Sequence, residues 1–303
     1  MEGYTPELTI ITPTYNRAKT ISSCWESLKR QSNNNFQWLI IDDGSNDGTK
    51  QLVDGFIKST PDMRIEYVFK ENGGKHTALN LSHEYIKGKY VLILDSDDML
   101  TMDAVETVLD TWEKYNAASE VNVIYFYKKN TNGETLCHVK NENKIICTYR
   151  ERRMSKLKSR DCCDTFRTDA FVKFNFPVFE GEKFIGEGAA FLNIELMGKG
   201  VYIDRAIYVC DYLDGGLTRQ GRKMRLLSPR GGRFNSNVYM NEHLYLTTRI
   251  KNALLYVCYS YFAGVSLKKM FCDTKHKVLL TINLLPGTLL YFYWRKKFFG
   301  NES

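Results

Sequence analysis

Four times between residues 8 and 112, a short apolar run gives way to a segment with helical spacing. The runs are "LTIITPTYN" (Leu8 to Asn16), "FQWLIIDDGSNDGT" (Phe36 to Thr49), "RIEYVFKENGGKH" (Arg64 to His76) and "YVLILDSDD" (Tyr90 to Asp98). The segments between them set Ile21, Trp25 and Leu28 on one stripe, then Leu52, Val53, Phe56 and Ile57, then Ala78, Leu79, Leu81 and Tyr85. Val105, Val108, Leu109 and Trp112 follow in the same manner. This alternation predicts an α/β fold, a mainly parallel sheet flanked by helices on both faces. Right-handed crossovers then bring the C-terminal end of every strand to one edge. Ligands of open α/β sheets bind at such an edge.

The fourth run ends in three carboxylates, Asp95, Asp97 and Asp98. Carboxylates that close repel one another unless a cation relieves them. A hard divalent ion, Mn²⁺ or Mg²⁺, suits an i, i+2 pair at a strand end and is completed by water and substrate phosphates. Asp98 directly precedes an apolar-periodic segment and is expected to cap its helix. The other two carboxylates need a different reason. An EF-hand starting at Asp95 fails, because Met99 and Leu100 stand where an oxygen ligand and Gly are required. A phosphatase of the haloacid dehalogenase type carries D-x-D after its first strand, whereas here it follows the fourth.

"DDGSNDGT" forms a second constellation. Asp42 and Asp43 end the second strand, and Gly44 permits a tight turn there. A carboxylate at that place can accept from a base N–H or a ribose hydroxyl. Ser45, Asp47 and Thr49 are candidates to start the next helix. Gly73 and Gly74 allow close backbone approach, and Lys75 offers a cation to phosphate or is a solvated surface lysine.

Beyond Val121 the pattern is less regular. "VNVIYFYKK" and "VYIDRAIYVCDYL" read as strands, "TLCHVKNENKIICTY" as a hairpin, and "EGAAFLNIELMGKG" (Glu187 to Gly200) as a helix stopped by glycine. From about Phe234 the chain reads as helical. The expected organisation is 1–120 and 121–230 as two halves of one domain, with 231–303 a helical extension.

"ITPTYNR", "LIIDDGSNDGT", "ENGGKHTALN" and "YVLILDSDD", in this order and spacing, resemble glycosyltransferase family 2. "FEGEKFIGEGAAFLNI" and "IYVCDYLDGGLTRQG" further resemble a bacterial subgroup that builds surface polysaccharides. The resemblance implies an inverting enzyme with the GT-A (Rossmann-like) fold and a nucleotide-sugar donor, UDP-linked by expectation. It implies that Thr14, Tyr15 and Arg17 line the nucleotide pocket, that Asp42 and Asp43 hold the uracil-ribose part, and that Asp95 and Asp97 form a D-x-D with Ser96 between them at the cofactor. Asp97 would hold the metal, and Asp95 the metal or ribose. Glu187 falls at the place of the catalytic base. Relatives often carry Glu-Asp there; this chain has Glu187-Gly188, and Glu182 is the nearest rival. Arg219, Arg222 and Lys223 read as a basic loop that could close over a diphosphate or be plainly solvated. A sugar-phosphate nucleotidyltransferase would want a glycine-rich loop after strand one, and "TPTYNRAKT" has no glycine. A non-catalytic sugar- or nucleotide-binding protein is the remaining alternative, and the intact carboxylates speak against it.

Charge and cysteines bound the setting. A net charge of +7 is too small to argue for nucleic acid and favours anionic lipid or phosphorylated substrates. The eight cysteines include no pair with a two-residue gap, which argues against a zinc knuckle, and the first ten residues do not indicate a secretory signal. Reduced thiols in a cytoplasmic protein are expected. "HKVLLTINLLPGTLLYFYWRKKFF" (His276 to Phe299) is apolar, interrupted by Pro286-Gly287 and flanked by lysines. It reads as two short helices lying on the inner face of the cell membrane, as a packed soluble helix, or as a span. Interfacial attachment would suit a polyprenyl-diphosphate-linked acceptor; a glycan is the alternative acceptor.

Overall fold

The computed structural model describes residues 5–136, 144–147, 162–211 and 217–300, with the backbone alone for 144–147 and 217–220. In chain order the strands are β1 (Leu8–Thr14), β2 (Phe36–Asp42), β3 (Arg64–Phe69), β4 (Tyr90–Ile93), β5 (Met99–Leu100), β6 (Val121–Lys129), β7 (Lys144–Cys147), β8 (Cys162–Arg167) and β9 (Lys199–Val209). The helices are α1 (Ile21–Lys29), α2 (Thr49–Ser59), α3 (Lys75–Ser82), α4 (Ala104–Lys114), α5 (Thr168–Phe171), α6 (Gly188–Leu196), α7 (Leu217–Leu227), α8 (Pro229–Val238), α9 (Leu246–Phe262), α10 (Leu267–Cys272) and α11 (Lys277–Phe299). Two compact units divide the chain: Met1–Asn175 with Leu192–Asp211, and Phe176–Phe191 with Tyr212–Ser303.

The first unit holds the sheet. Its strands run β3-β2-β1-β4-β8-β6-β9-β5, with β7 also paired to β9. The β3, β2, β1 and β4 strands are parallel, as the alternation predicts. β1 and β2 are buried along their whole length, which matches continuous apolar runs covered on both faces. Leu8, Ile10, Trp38, Ile40, Tyr90 and Leu92 form one core with Ile21, Cys24 and Leu28 of α1, Val53 and Phe56 of α2, and Val105, Val108 and Trp112 of α4. α3 packs against β1 and β2. Past β4 the sheet becomes mixed: β8 runs antiparallel to β4 and to β6, while β9 runs parallel to β6.

Two local expectations change, and a third lies partly beyond the described residues. Asp98 caps no helix, because Met99 and Leu100 are drawn into pairing with Val209 and Tyr208, and α4 starts only at Ala104. The expected hairpin is partly outside the described residues, and the strand it contains, β7, pairs with β9. The basic "TRQGRK" segment is helical in α7, with a break at Gly221 (φ 44°, ψ −101°).

The second unit is helical. α9 lies against α8 and α11. α11 is one continuous helix rather than two, with Pro286 inside it. The reason lies at Gly287: a Cβ there would come within 2.6 Å of Val257 Cβ and 2.9 Å of the Leu254 carbonyl, so α11 is pressed against α9 where the break was expected. That packing holds the helix straight through the lost backbone donor of proline. Among the described residues no helix is long and apolar enough to cross a membrane.

Candidate functional site

The parallel strands end together, with Thr14 opposite Asp42 and Asp42 opposite Phe69. Beyond β1 the chain leaves through Tyr15, which is exposed, and Asn16, whose φ of +52° is one that a short amide side chain tolerates by bonding locally. Asn16 Oδ1 accepts from the Asn46 N–H at 2.9 Å, and the Asn16 N–H donates to Ser45 Oγ at 2.8 Å. The Arg17 N–H donates to Thr49 Oγ1 at 3.1 Å and the Ala18 N–H to Asp47 Oδ2 at 3.0 Å. Slight desolvation opposes ionisation of Asp47, but the donors from Thr49 and Ala18 hold its carboxyl below the usual range. The predicted starters of α2 thus lace two loops together. Thr14 Oγ1 is buried without a hydrogen-bond partner.

Asp42 and Asp43 are both buried and both engaged. Asp42 accepts from the Ser45 N–H at 2.8 Å and from the Tyr67 hydroxyl at 2.6 Å. Burial, and then the Asp42 charge, push the Tyr67 phenol up. Asp43 takes Lys70 Nζ at 2.6 Å and the Gly73 N–H at 2.9 Å on one oxygen, and the Gly74 N–H at 2.7 Å on the other. It therefore shapes the loop from which Lys75 emerges. Gly44 is required here, with φ +87° and room for a Cβ only 2.8 Å from the Asn72 nitrogen.

The "DSD" turn sits beside this loop. Lys75 Nζ lies 2.5 Å from Asp95 Oδ1, and an Arg17 guanidinium nitrogen 3.6 Å from Asp97 Oδ2. Ser96, between them, is buried. Desolvation pushes against ionisation of Asp95, and the charges of Lys75, Lys128 and Arg17 overcome it, so its carboxyl is held below the usual range. Asp98 faces the opposite balance. Burial and the neighbouring Asp95 and Asp97 charges raise it to about 7, against the Tyr208 hydroxyl, which donates to its Oδ2 at 2.7 Å. That hydroxyl also accepts from the Asp95 N–H at 3.0 Å. Burial drives the Tyr208 phenol well above its ordinary range, so it stays a donor.

These contacts close a circuit around the strand ends. Thr14 holds the Asp43 amide, Asp43 holds Gly74, Lys75 holds Asp95, and Arg17 returns from Asp97 to the end of β1. Asp43 and Asp97 accordingly stand at one edge of the sheet. The sequence did not announce Tyr67, Lys70 or Tyr208. The Tyr208 alternation on a strand was readable; its partner 110 residues away was not.

No three His, Cys, Asp or Glu side chains come together as a metal cage among the described residues. The donor set that exists is a pair: the side chains of Asp95 and Asp97 are 39% and 28% exposed. Two reachable carboxylates fit a Mg²⁺ or Mn²⁺ ion that takes its other ligands from phosphates and water.

In the second unit, Glu187 immediately precedes α6, and its carbonyl accepts from the Ala190 and Phe191 amides. One of its carboxylate oxygens is shielded from solvent. Its rival Glu182 has another task. Glu182 is buried and accepts from the Arg230 N–H at 2.9 Å and the Gly231 N–H at 2.8 Å. It caps the open amides of α8 from a distance, and its charge suits that helix end. Arg222 lies over the Trp294 ring at 4.5 Å, whereas nothing is described of the Arg219 side chain. The described cysteines are unbridged.

Residues 9–171 match the family described as "Glycosyl transferase family 2". Among curated relatives, glycosyltransferase GlyG of Streptococcus pneumoniae is 26% identical over 179 residues, 58% of this chain and 58% of that protein. The putative teichuronic acid biosynthesis glycosyltransferase TuaG of Bacillus subtilis is 34% identical over 36% of this chain and 43% of its own length. The chain thus spans little more than half the length of the first of these. Of solved structures, S. aureus TarS 1–349 in complex with UDP-GlcNAc aligns with a TM-score of 0.61 at 20% identity, over 93% of this chain and 79% of that one. The mannosyltransferase PcManGT of Pyrobaculum calidifontis, in complex with GDP-Man and Mn²⁺, aligns at 0.57 and 16% identity over 96% of this chain and 88% of its own. Likeness at that identity establishes the shared fold.

Proposed function

The chain belongs to glycosyl transferase family 2, and from that premise we propose that it moves a sugar from a nucleotide-sugar, UDP-linked, to a hydroxyl of a glycan or polyprenyl-diphosphate-linked acceptor. The observation that carries this reading is the circuit at the strand ends: Arg17, Lys70 and Lys75 alternate with Asp43, Asp95 and Asp97 along one edge. Such an edge can hold a nucleoside diphosphate by its phosphates and its polar base together. The named relative in teichuronic acid synthesis supports surface polysaccharide as the product class.

Asp95 and Asp97 would hold a divalent ion, which when bound offsets charge on the departing diphosphate. Arg17 and Lys75, released from the two carboxylates, would meet phosphate oxygens. Thr14, the last residue of β1, and Tyr15 after it would line the nucleotide pocket. Glu187 would take the proton from the attacking hydroxyl. A single displacement inverts the anomeric centre, so an α-linked donor gives a β-linked product. The acceptor's lipid carrier would place the enzyme at the inner face of the cell membrane.

Calorimetry with UDP, GDP and CDP, with and without Mn²⁺, followed by product release from a panel of nucleotide-sugars, tests the reading. UDP binding strengthened by Mn²⁺ and lost in Asp97→Asn is expected. Equal indifference to all three nucleotides would refute it.

A further inference from the structure

α11 is apolar around its whole circumference, yet only one side is covered. Leu279, Leu280, Gly287 and Trp294 are buried in the helical unit. On the opposite side Val278, Ile282, Leu285, Leu289 and Phe292 are 74, 64, 70, 61 and 57% exposed. Their spacing of four, three, four and three keeps them on one stripe. At the helical rise the stripe is about 21 Å long. Contiguous apolar surface of this kind marks something that covers it.

Charge indicates what that is. Residues 242–303 hold nine Lys and Arg and three acidic residues, Glu242, Asp273 and Glu302. That stretch is therefore +6 of the chain's +7, so the remainder is close to neutral. Asp273 itself is paired with Arg233 and Lys269. α11 has no carboxylate at all; exposed Lys277 opens it, and exposed Arg295, Lys296 and Lys297 close it. Tyr293, beside Phe292 and 58% exposed, lies with its ring 5.8 Å from Lys297 Nζ. A partner helix would be met by charges of both signs flanking the seam. Cations alone, at both ends of an apolar stripe, complement a surface that is anionic at the top and hydrocarbon beneath.

We propose that this face of α11 lies flat on an anionic lipid bilayer, its apolar stripe among the acyl chains and its lysines at the headgroups. The inference rests on the membrane-surface part of the reading above and is independent of the donor chemistry.

The test uses the full chain with sedimented vesicles of phosphatidylcholine, alone or mixed with phosphatidylglycerol, at low and high ionic strength. UDP binding is measured on the same preparations. Wild type should partition onto the phosphatidylglycerol vesicles and be released by salt. Leu285→Gln combined with Leu289→Gln and Phe292→Gln should lower that partition by about tenfold or more while leaving the thermal midpoint unchanged. Lys296→Glu with Lys297→Glu should remove the preference for phosphatidylglycerol. Wild type remaining in solution with anionic vesicles at low salt overturns the proposal, as does a triple variant that partitions like wild type. A wild-type dimer that the triple variant makes monomeric, with no vesicle binding by either, overturns it in favour of a second copy. Loss of UDP binding with partition intact would refute the donor site and leave this face supported.

Discussion

Lys75 Nζ and Asp95 Oδ1 are 2.5 Å apart, so the first residue of α3 neutralises a carboxylate at the end of β4. The pair is a third exposed, and its own contribution to stability is less than about 1 kcal/mol. On the proposed reading, Lys75 and a divalent ion would compete for the same oxygens. Lys75→Ala should therefore leave the melting temperature nearly unchanged and shift Mn²⁺ binding, without nucleotide, to lower concentration. With donor present, kcat/KM should fall about tenfold through the lost phosphate contact. An unaltered Mn²⁺ titration would show that Lys75 does not guard the site.

Glu187 and Glu182 are separable by what each mutation costs. Glu187→Gln should abolish transfer and leave UDP affinity close to wild type, because in the proposed mechanism the carboxylate acts only on the acceptor. Glu182→Gln keeps one acceptor oxygen but turns an amide donor toward either the Arg230 or the Gly231 N–H at the start of α8. It should destabilise the protein by about 1–3 kcal/mol and leave the rate per folded molecule intact. Normal transfer by Glu187→Gln would place the base elsewhere.

Asp98 gives a pH signature. Its carboxyl is raised from 3.8 to about 7, so the folded chain holds this proton more tightly than the unfolded chain. Between those two values stability should fall as pH rises, the gain being complete below the lower value and gone above the upper. Asp98→Asn keeps an acceptor for Tyr208 and removes the titration. The difference in denaturation midpoint between wild type and Asp98→Asn should therefore change with pH across this window. A difference that stays constant would contradict the assigned environment.

Gly287→Ala places a methyl group 2.6 Å from Val257 Cβ. Backbone and β-branched neighbours cannot yield as a flexible side chain would. Separation of α9 from α11 should cost about 1–3 kcal/mol, read as a lowered melting temperature. Wild-type stability in this variant would mean the helices are not in contact there.

What the sequence made legible was local in origin. β1 to β4 and α1 to α4 follow from periodicity within short windows, and the shared edge follows from handedness. β8, "CCDTFR", carries no hydrophobic signature, and its antiparallel place was hidden. The role of Asp98 is hidden in the sequence because its neighbours Met99 and Leu100 answer to Val209 and Tyr208, far along the chain. Pro286 promised a break that Gly287 and Val257 prevent. Asp42 and Asp43 stand out in the sequence as adjacent carboxylates at a strand end, but the Tyr67 and Lys70 that engage them do not.

Ser45, Asp47, Thr49 and the Asn46 amide fasten residues 16–18 without any help from a bound molecule. The loop after β1 is thus tied down before anything arrives. Amide hydrogens of Asn16, Arg17 and Ala18 should exchange slowly in the empty protein, and a nucleotide landing there should lose little affinity to ordering of this loop.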